Sequence, residues 1–217
     1  MIRLAADRCR RCIALFATVV LAGCASGLLP KPAEPLKQYA LNHRGTSAAA
    51  VAMTRVGPEP RGTTLIVGET RAAPGFDTKQ IVYVRDPDRI ESFALSRWVD
   101  TPARMLAPLL VAALDRSDAF GAVLGAPTAA NGTWRLDTEL IRLQQDFTHA
   151  PSRVRLTLRA VVIETATRRV LASRTFDATV LSPSDDTAGG VAAANLAVDE
   201  VLAGVTSFCA DAVRRSP

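Results

Sequence analysis

Three runs in the second half of the chain alternate apolar and polar residues with a period of two, and no other feature narrows the fold as much. In "TWRLDTELIRL" (133–143), Trp134, Leu136, Thr138 and Leu140 fall on one face and Arg135, Asp137 and Glu139 on the other. "RVRLTLRAVVIE" (153–164) sets Val154, Leu156, Leu158, Ala160 and Val162 against Arg153, Arg155, Thr157 and Arg159; "RVLASRTFDATV" (169–180) follows the turn "TATR". Successive strand side chains point to opposite faces, so this pattern predicts three adjacent antiparallel strands, apolar on one face and wetter on the other.

The apolar face needs a cover, and the sequence supplies one. After the break "SPSDDTAGG", residues Ala188 to Val213 read as a long helix, with Val191, Ala194, Val198, Val201, Leu202, Val205, Phe208 and Cys209 recurring at helical spacing. In the first half, "KQYAL" (37–41), Thr63 to Thr70 and "KQIVYVR" (79–85) read as strands, and "DPD" turns the last of these into Arg89–Trp98 as a hairpin. In "DTPARML", Thr101 can cap and Pro102 can open a second helix to about Ser117, with Leu106, Leu109, Leu110, Ala113 and Leu114 as its buried stripe. Pro108 would remove a hydrogen bond from that helix unless it starts later. The segment His43 to Gly62 carries no clear periodicity. The order of elements predicts a single α/β domain, a mixed, largely antiparallel sheet packed by two main helices.

The amino-terminal end has a different character. Arg3, Arg8, Arg10 and Arg11 precede an uncharged run from Cys12 to Gly23, the pattern of a signal peptide. That run would cover about 18 Å of a roughly 30 Å hydrocarbon core, too little for a spanning helix. Leu21-Ala22-Gly23-Cys24 resembles the bacterial lipobox, in which the cysteine is acylated and becomes the first residue. Residues 1–23 are then a lipoprotein signal peptide, Cys24 is the lipid-attachment site, and 24–35, with "ASGLLPKPAEP", is a Pro-rich tether that could reach roughly 34 Å. Residues 36–217 form the domain. The several acyl chains of a bacterial lipoprotein, palmitate among them, would hold far more firmly than a single myristoyl chain.

Removing that leader takes four arginines and one aspartate, which leaves a net charge of +2 from the +5 of the whole chain. Few aromatics and no basic block remain, so nucleic acid is excluded as a partner. The "CRRC" of Cys9 and Cys12 leaves with the leader, and Cys209 is expected to be buried. No residues assemble into a catalytic, metal or cofactor site. His43 and His149 fall in loops without mutual spacing, Asp185 and Asp186 read as helix caps, and "AGGVAAAN" (188–195) lacks the spacing of a phosphate loop. Arg135, Arg153, Arg155 and Arg159 interleave with Asp137, Glu139 and Asp177 on the wetter face, either as cross-strand ion pairs or as a docking surface for a partner protein.

Five stretches together carry a family resemblance: "QYAL", "AAPGFDTKQIVYVRDPDRIESFALSRWVDTPARML", "WRLDTELIRLQQDF", "SRVRLTLRAVVIETATRRVLASRTFDA" and "GGVAAANLAVDEVLAGVTSF". The chain resembles the ABC-type transport auxiliary lipoproteins of the PqiC/YmbA type. The resemblance implies a periplasmic, lipid-anchored, non-enzymatic α/β subunit that accompanies an ABC transporter with MCE-type membrane subunits in phospholipid trafficking between membranes. Its one residue-level counterpart with chemistry is Cys24. Ala25 after that cysteine favours the outer over the inner membrane, and a homo-oligomer is left open. A lipid-binding carrier and an outer-membrane assembly scaffold are the rival readings; a carrier would need an apolar cavity of several hundred Å³.

Overall fold

Residues 34–43 and 63–215 are described in a computed structural model. The leader, Cys24 with most of the tether, and nearly all of the 43–62 stretch lie outside the described residues. The chain divides into two units, Met1–Pro35 and Leu36–Pro217, and every described element belongs to the second. In chain order these are β1 (Lys37–Tyr39), β2 (Thr64–Val67), β3 (Arg71–Ala72), β4 (Gln80–Asp86), β5 (Arg89–Trp98), α1 (Pro102–Asp115), β6 (Ala122–Gly125), β7 (Trp134–Asp146), β8 (Arg153–Glu164), β9 (Val170–Leu181) and α2 (Thr187–Arg214).

All nine strands join one sheet, with β7 as its hub. On one side β7 runs antiparallel to β8, and β8 to β9, in ladders that follow the three alternating runs closely. On its other side β7 takes β2, β3 and β4 in turn, each parallel and for only two or three residues. The sheet continues to β6 beyond β2, and to β5 and β1 beyond β4. It is therefore mixed, and its three longest ladders are antiparallel.

The apolar face behaves as the alternation predicts. Leu136, Leu140, Leu156, Leu158 and Val162 are fully buried, in one core with Leu106, Leu110 and Leu114 of α1 and Ala194, Val198, Leu202, Val205 and Cys209 of α2. Each such leucine contributes on the order of 1.5–3 kcal/mol by leaving water. The register slips between Leu140 and Arg142, leaving Ile141 without a partner, so the alternation resumes with opposite parity and Leu143 is again buried. The β4–β5 hairpin turns at Pro87-Asp88, where the Asp88 N–H donates to Asp86 Oδ1 at 3.2 Å.

Several expectations need adjustment. The run Thr63 to Thr70 is a strand only from Thr64 to Val67; the Gly68 N–H still donates to Leu136 O at 2.8 Å, an added Cβ there would stand 2.5 Å from Asp137 Oδ1, and the chain then leaves the ladder. It rejoins β7 as β3, and the Thr70 and Thr138 hydroxyls bond at 2.8 Å in the interior. Thr101 occupies the N-cap position of α1 but its side chain makes no capping bond; Asp100 instead accepts the Thr101 N–H at 2.9 Å. α1 ends at Asp115 and runs through Pro108, while Leu109 and Ala113 are only half-buried at the margin of the core. The strands β3 and β6 are too short to show a period.

Candidate functional site

The polar residues singled out in the sequence fall into separate places. His43 Nδ1 lies 2.5 Å from Asp199 Oδ1, and the preceding Asn42 N–H donates to Asn195 Oδ1 at 2.9 Å, so two side chains of α2 hold the chain just after β1. His149 is remote, with Nδ1 2.9 Å from both Thr148 Oγ1 and Arg153 Nη2. Both histidines are in loops, as expected; His43 has found a partner far away in the chain, whereas the partners of His149 are local. Among the described residues no three His, Cys, Asp or Glu side chains converge as a metal site.

Asp186 caps α2, accepting the Gly189 N–H at 2.7 Å and the Ser184 hydroxyl at 2.8 Å. The Gly189 hydrogen bond, seconded by that of Ser184, holds its carboxyl below the usual carboxylate range. Asp185 reaches back to the β7–β8 connection, accepting the Ser152 N–H at 2.8 Å, and that bond lowers its pKa in the same way. The glycines of "AGGVAAAN" serve packing. A Cβ on Gly189 would stand 2.2 Å from the Ser184 carbonyl oxygen, and one on Gly190 2.2 Å from Gln145 Oε1. Cys209 is completely buried, and desolvation pushes its thiol up to about 12.

The wetter face of β7–β9 carries the arginines and acids that the alternation singles out. Neither described helix contributes to it; α1 and α2 share the apolar core on the opposite side. Register places Glu139 beside Arg159, Arg142 beside Thr157, Gln144 beside Arg155, and Asp146 beside Arg153, with Arg71 of β3 next to Glu139 on its other flank. Some of these charges are paired within the chain. Arg135 Nε meets Asp137 Oδ1 at 2.7 Å, Arg153 Nε meets Asp146 Oδ2 at 3.3 Å, and the Thr157 hydroxyl donates to Asp177 at 2.8 Å. Burial alone would raise Asp146, but bonds from the Thr148 hydroxyl and N–H and from Arg153 more than offset it and hold the carboxyl low. At one end of the face Glu69, Arg71, Ala126, Pro127, Arg135 and Asp137 line an open depression of about 340 Å³.

One cluster has no signal in the sequence. Tyr83, Phe93 and Phe147 pack with ring centroids 4.6–6.4 Å apart, and the Arg85 guanidinium lies 5.1 Å from the Tyr83 ring and 5.8 Å from that of Phe147. The Tyr83 hydroxyl donates to Glu91 at 2.8 Å, which holds the Glu91 carboxyl low. The hairpin pairs Tyr83 with Glu91 directly. Phe147 arrives only because its N–H bonds to Val84 O at 2.8 Å, a long-range contact that no local spacing reveals. Within the fold, the apolar cavity bounded by Ile81, Trp98, Leu143, Val154, Gly190 and Ala194 measures about 10 Å³, room for a water and not for an acyl chain.

Residues 46–205 match the family described as the ABC-type transport auxiliary lipoprotein component. Among solved structures, protein XCC0632 from Xanthomonas campestris is similar with a TM-score of 0.70 at 23% identity, over 82% of this chain and 97% of that one. An uncharacterized protein is similar with a TM-score of 0.62 at 12% identity, over 81% and 99%. The hypothetical protein CT253 from Chlamydia trachomatis has a TM-score of 0.50 at 8% identity, over 70% and 97%. These likenesses are of fold. No curated protein matches the chain.

Proposed function

The chain belongs to the ABC-type transport auxiliary lipoprotein component family, and from that membership we propose that it is a non-catalytic subunit, anchored through acylated Cys24 on the periplasmic face of the cell envelope, that docks onto an ABC transporter. The family match over residues 46–205 carries this reading. The lipobox-like sequence ending at Cys24 and the proline-rich stretch after it support the anchor and its tether. The domain, 36–217, supplies a broad sheet with one face covered by helices and one face of exposed and half-buried charge. The transporter is of the MCE-associated kind, its cargo is phospholipid passing between the membranes, and the outer membrane holds the anchor.

The carrier alternative asks for an enclosed apolar volume, and the 10 Å³ cavity under α2 gives it no support. The adaptor reading is tested by Cys24→Ser. The variant is expected in the soluble periplasmic fraction, folded, with transport support abolished; mass analysis of the wild type is expected to find an acylated amino terminus. Retention of the variant in the membrane, or a wild-type protein with an unmodified amino terminus, overturns the reading.

A further inference from the structure

We infer that the charged face of β7–β9 is a docking surface for an acidic patch on a protein partner, a refinement that rests on the adaptor reading. Four guanidinium groups carry it: Arg71, Arg142, Arg155 and Arg159. Among the described residues none of the four has a carboxylate within ion-pair distance, whereas their neighbours Arg135 and Arg153 are each paired. The carboxylates that could neutralise them are committed or out of reach. Asp137 and Asp146 serve Arg135 and Arg153, Asp177 accepts from Thr157, and Glu139 stands between Arg71 and Arg159 in the register without closing on either.

The placement of three of them is costly for the chain alone. Arg142 lies opposite Thr157, so it is the diagonal neighbour of both Arg155 and Arg159. Diagonal neighbours on adjacent strands stand roughly 7–8 Å apart, within reach of arginine, and like charges across neighbouring strands repel. An arginine offers five donors in a planar fork that suits a carboxylate, and an incoming acidic surface would turn this repulsion into paired, charge-assisted bonds.

Charge pattern and size select the kind of partner. Asp137, Glu139 and Asp177 stand among the arginines, and a uniformly anionic lipid surface would repel them; a protein can set acidic groups against the arginines and basic ones against the acids. Strands of 12 and 13 residues extend roughly 40 Å, and three of them present a surface on the order of 600 Å². That approaches the roughly 800 Å² per partner of a standard interface. Half-buried Val161 and Ile163 add apolar area on the same face.

The test uses the full-length lipidated protein in detergent, and as probe the ABC transporter complex that co-purifies with it. Arg142→Glu, Arg155→Glu and Arg159→Glu are combined, and the triple Arg→Gln variant serves as a milder second form. Both are expected to stay in the membrane fraction and remain folded, the Gln form melting at or above the wild-type temperature because the repulsion among the arginines is relieved, and both are expected to bind the complex more weakly, the Glu form by about ten-fold or more. Wild-type affinity is expected to fall as salt rises. Undiminished binding of both variants overturns the surface and leaves the adaptor reading standing. So does an arginine dependence that appears only on vesicles of phosphatidylglycerol and phosphatidylethanolamine, or only as loss of self-association. If no transporter component co-purifies with the wild type, the adaptor reading itself fails and this surface with it.

Discussion

Glycine inside a helix ordinarily costs about 1 kcal/mol against alanine, so Gly→Ala in the first turns of a long helix should stabilise. At Gly189 and Gly190 the sign reverses, because an added methyl group would meet the Ser184 backbone in one case and the buried Gln145 side chain in the other. Gln145 is itself held, its Nε2 donating to Ser152 Oγ at 2.9 Å. Gly189→Ala is expected to destabilise by about 1–3 kcal/mol, within the range of overpacking, with Gly190→Ala less severe because a side chain rather than backbone must yield; urea unfolding of the two variants checks the order. The neighbouring acids set a pH dependence. Asp185, Asp186 and Asp146 all have folded pKa values below their ordinary ones, so their contribution is complete above a pH of about 4 and is lost as pH falls through the folded values. Melting temperature is therefore expected to drop below about pH 4, and the drop should be shallower in Asp186→Asn, which keeps a capping oxygen without the titration. A melting temperature flat down to pH 2 would contradict this assignment.

At the scale of elements, β7 does most to organise the domain. Its inward residues meet β8 on one side and three short strands on the other, and Ile141 shifts the phase so that both Leu140 and Leu143 reach the core. Leu158→Ala, beneath α2, is expected to cost about 2–5 kcal/mol in equilibrium unfolding, against a small change for Thr157→Ala on the charged face. The helix α2 buries Cys209 and pushes its thiol up to about 12, so Cys209 is expected to resist thiol reagents at pH 8 until the protein unfolds. Rapid labelling of the native protein would show that α2 does not pack as described. Most of these elements were legible because alternation and helical spacing record burial residue by residue: β7, β8, β9 and α2 follow their runs nearly end to end. β3 and β6 were not, since two and four residues hold too little of a period. Thr101 stands at the N-cap position, as its residue type and the following proline indicate, but without a side-chain bond, because the preference there is a tendency and Asp100 makes the local bond instead.

For the whole molecule, the chain divides into two units, Met1–Pro35 and Leu36–Pro217, and the proposed anchor at Cys24 falls in the first. Cys24→Ser is accordingly expected to leave the melting temperature of the detergent-solubilised protein unchanged within error while changing its partition; a large shift would mean that the amino-terminal unit stabilises the domain. The sequence by itself determined which segments are two-faced, hence an α/β domain with one dry and one charged sheet face, because burial of a side chain is written in the spacing of its near neighbours. Only the tertiary structure decided that β7 stands at the centre with parallel partners on one side, that Phe147 meets Tyr83 and Arg85, and that Asp185 ties the start of α2 to Ser152. It also decided that Arg71 and Arg142 join Arg155 and Arg159 on one face, and that among the described residues none of the four has a carboxylate within ion-pair distance. Those arrangements depend on register between segments far apart in the chain, and register is settled by packing and hydrogen bonding across the sheet, which no local spacing encodes.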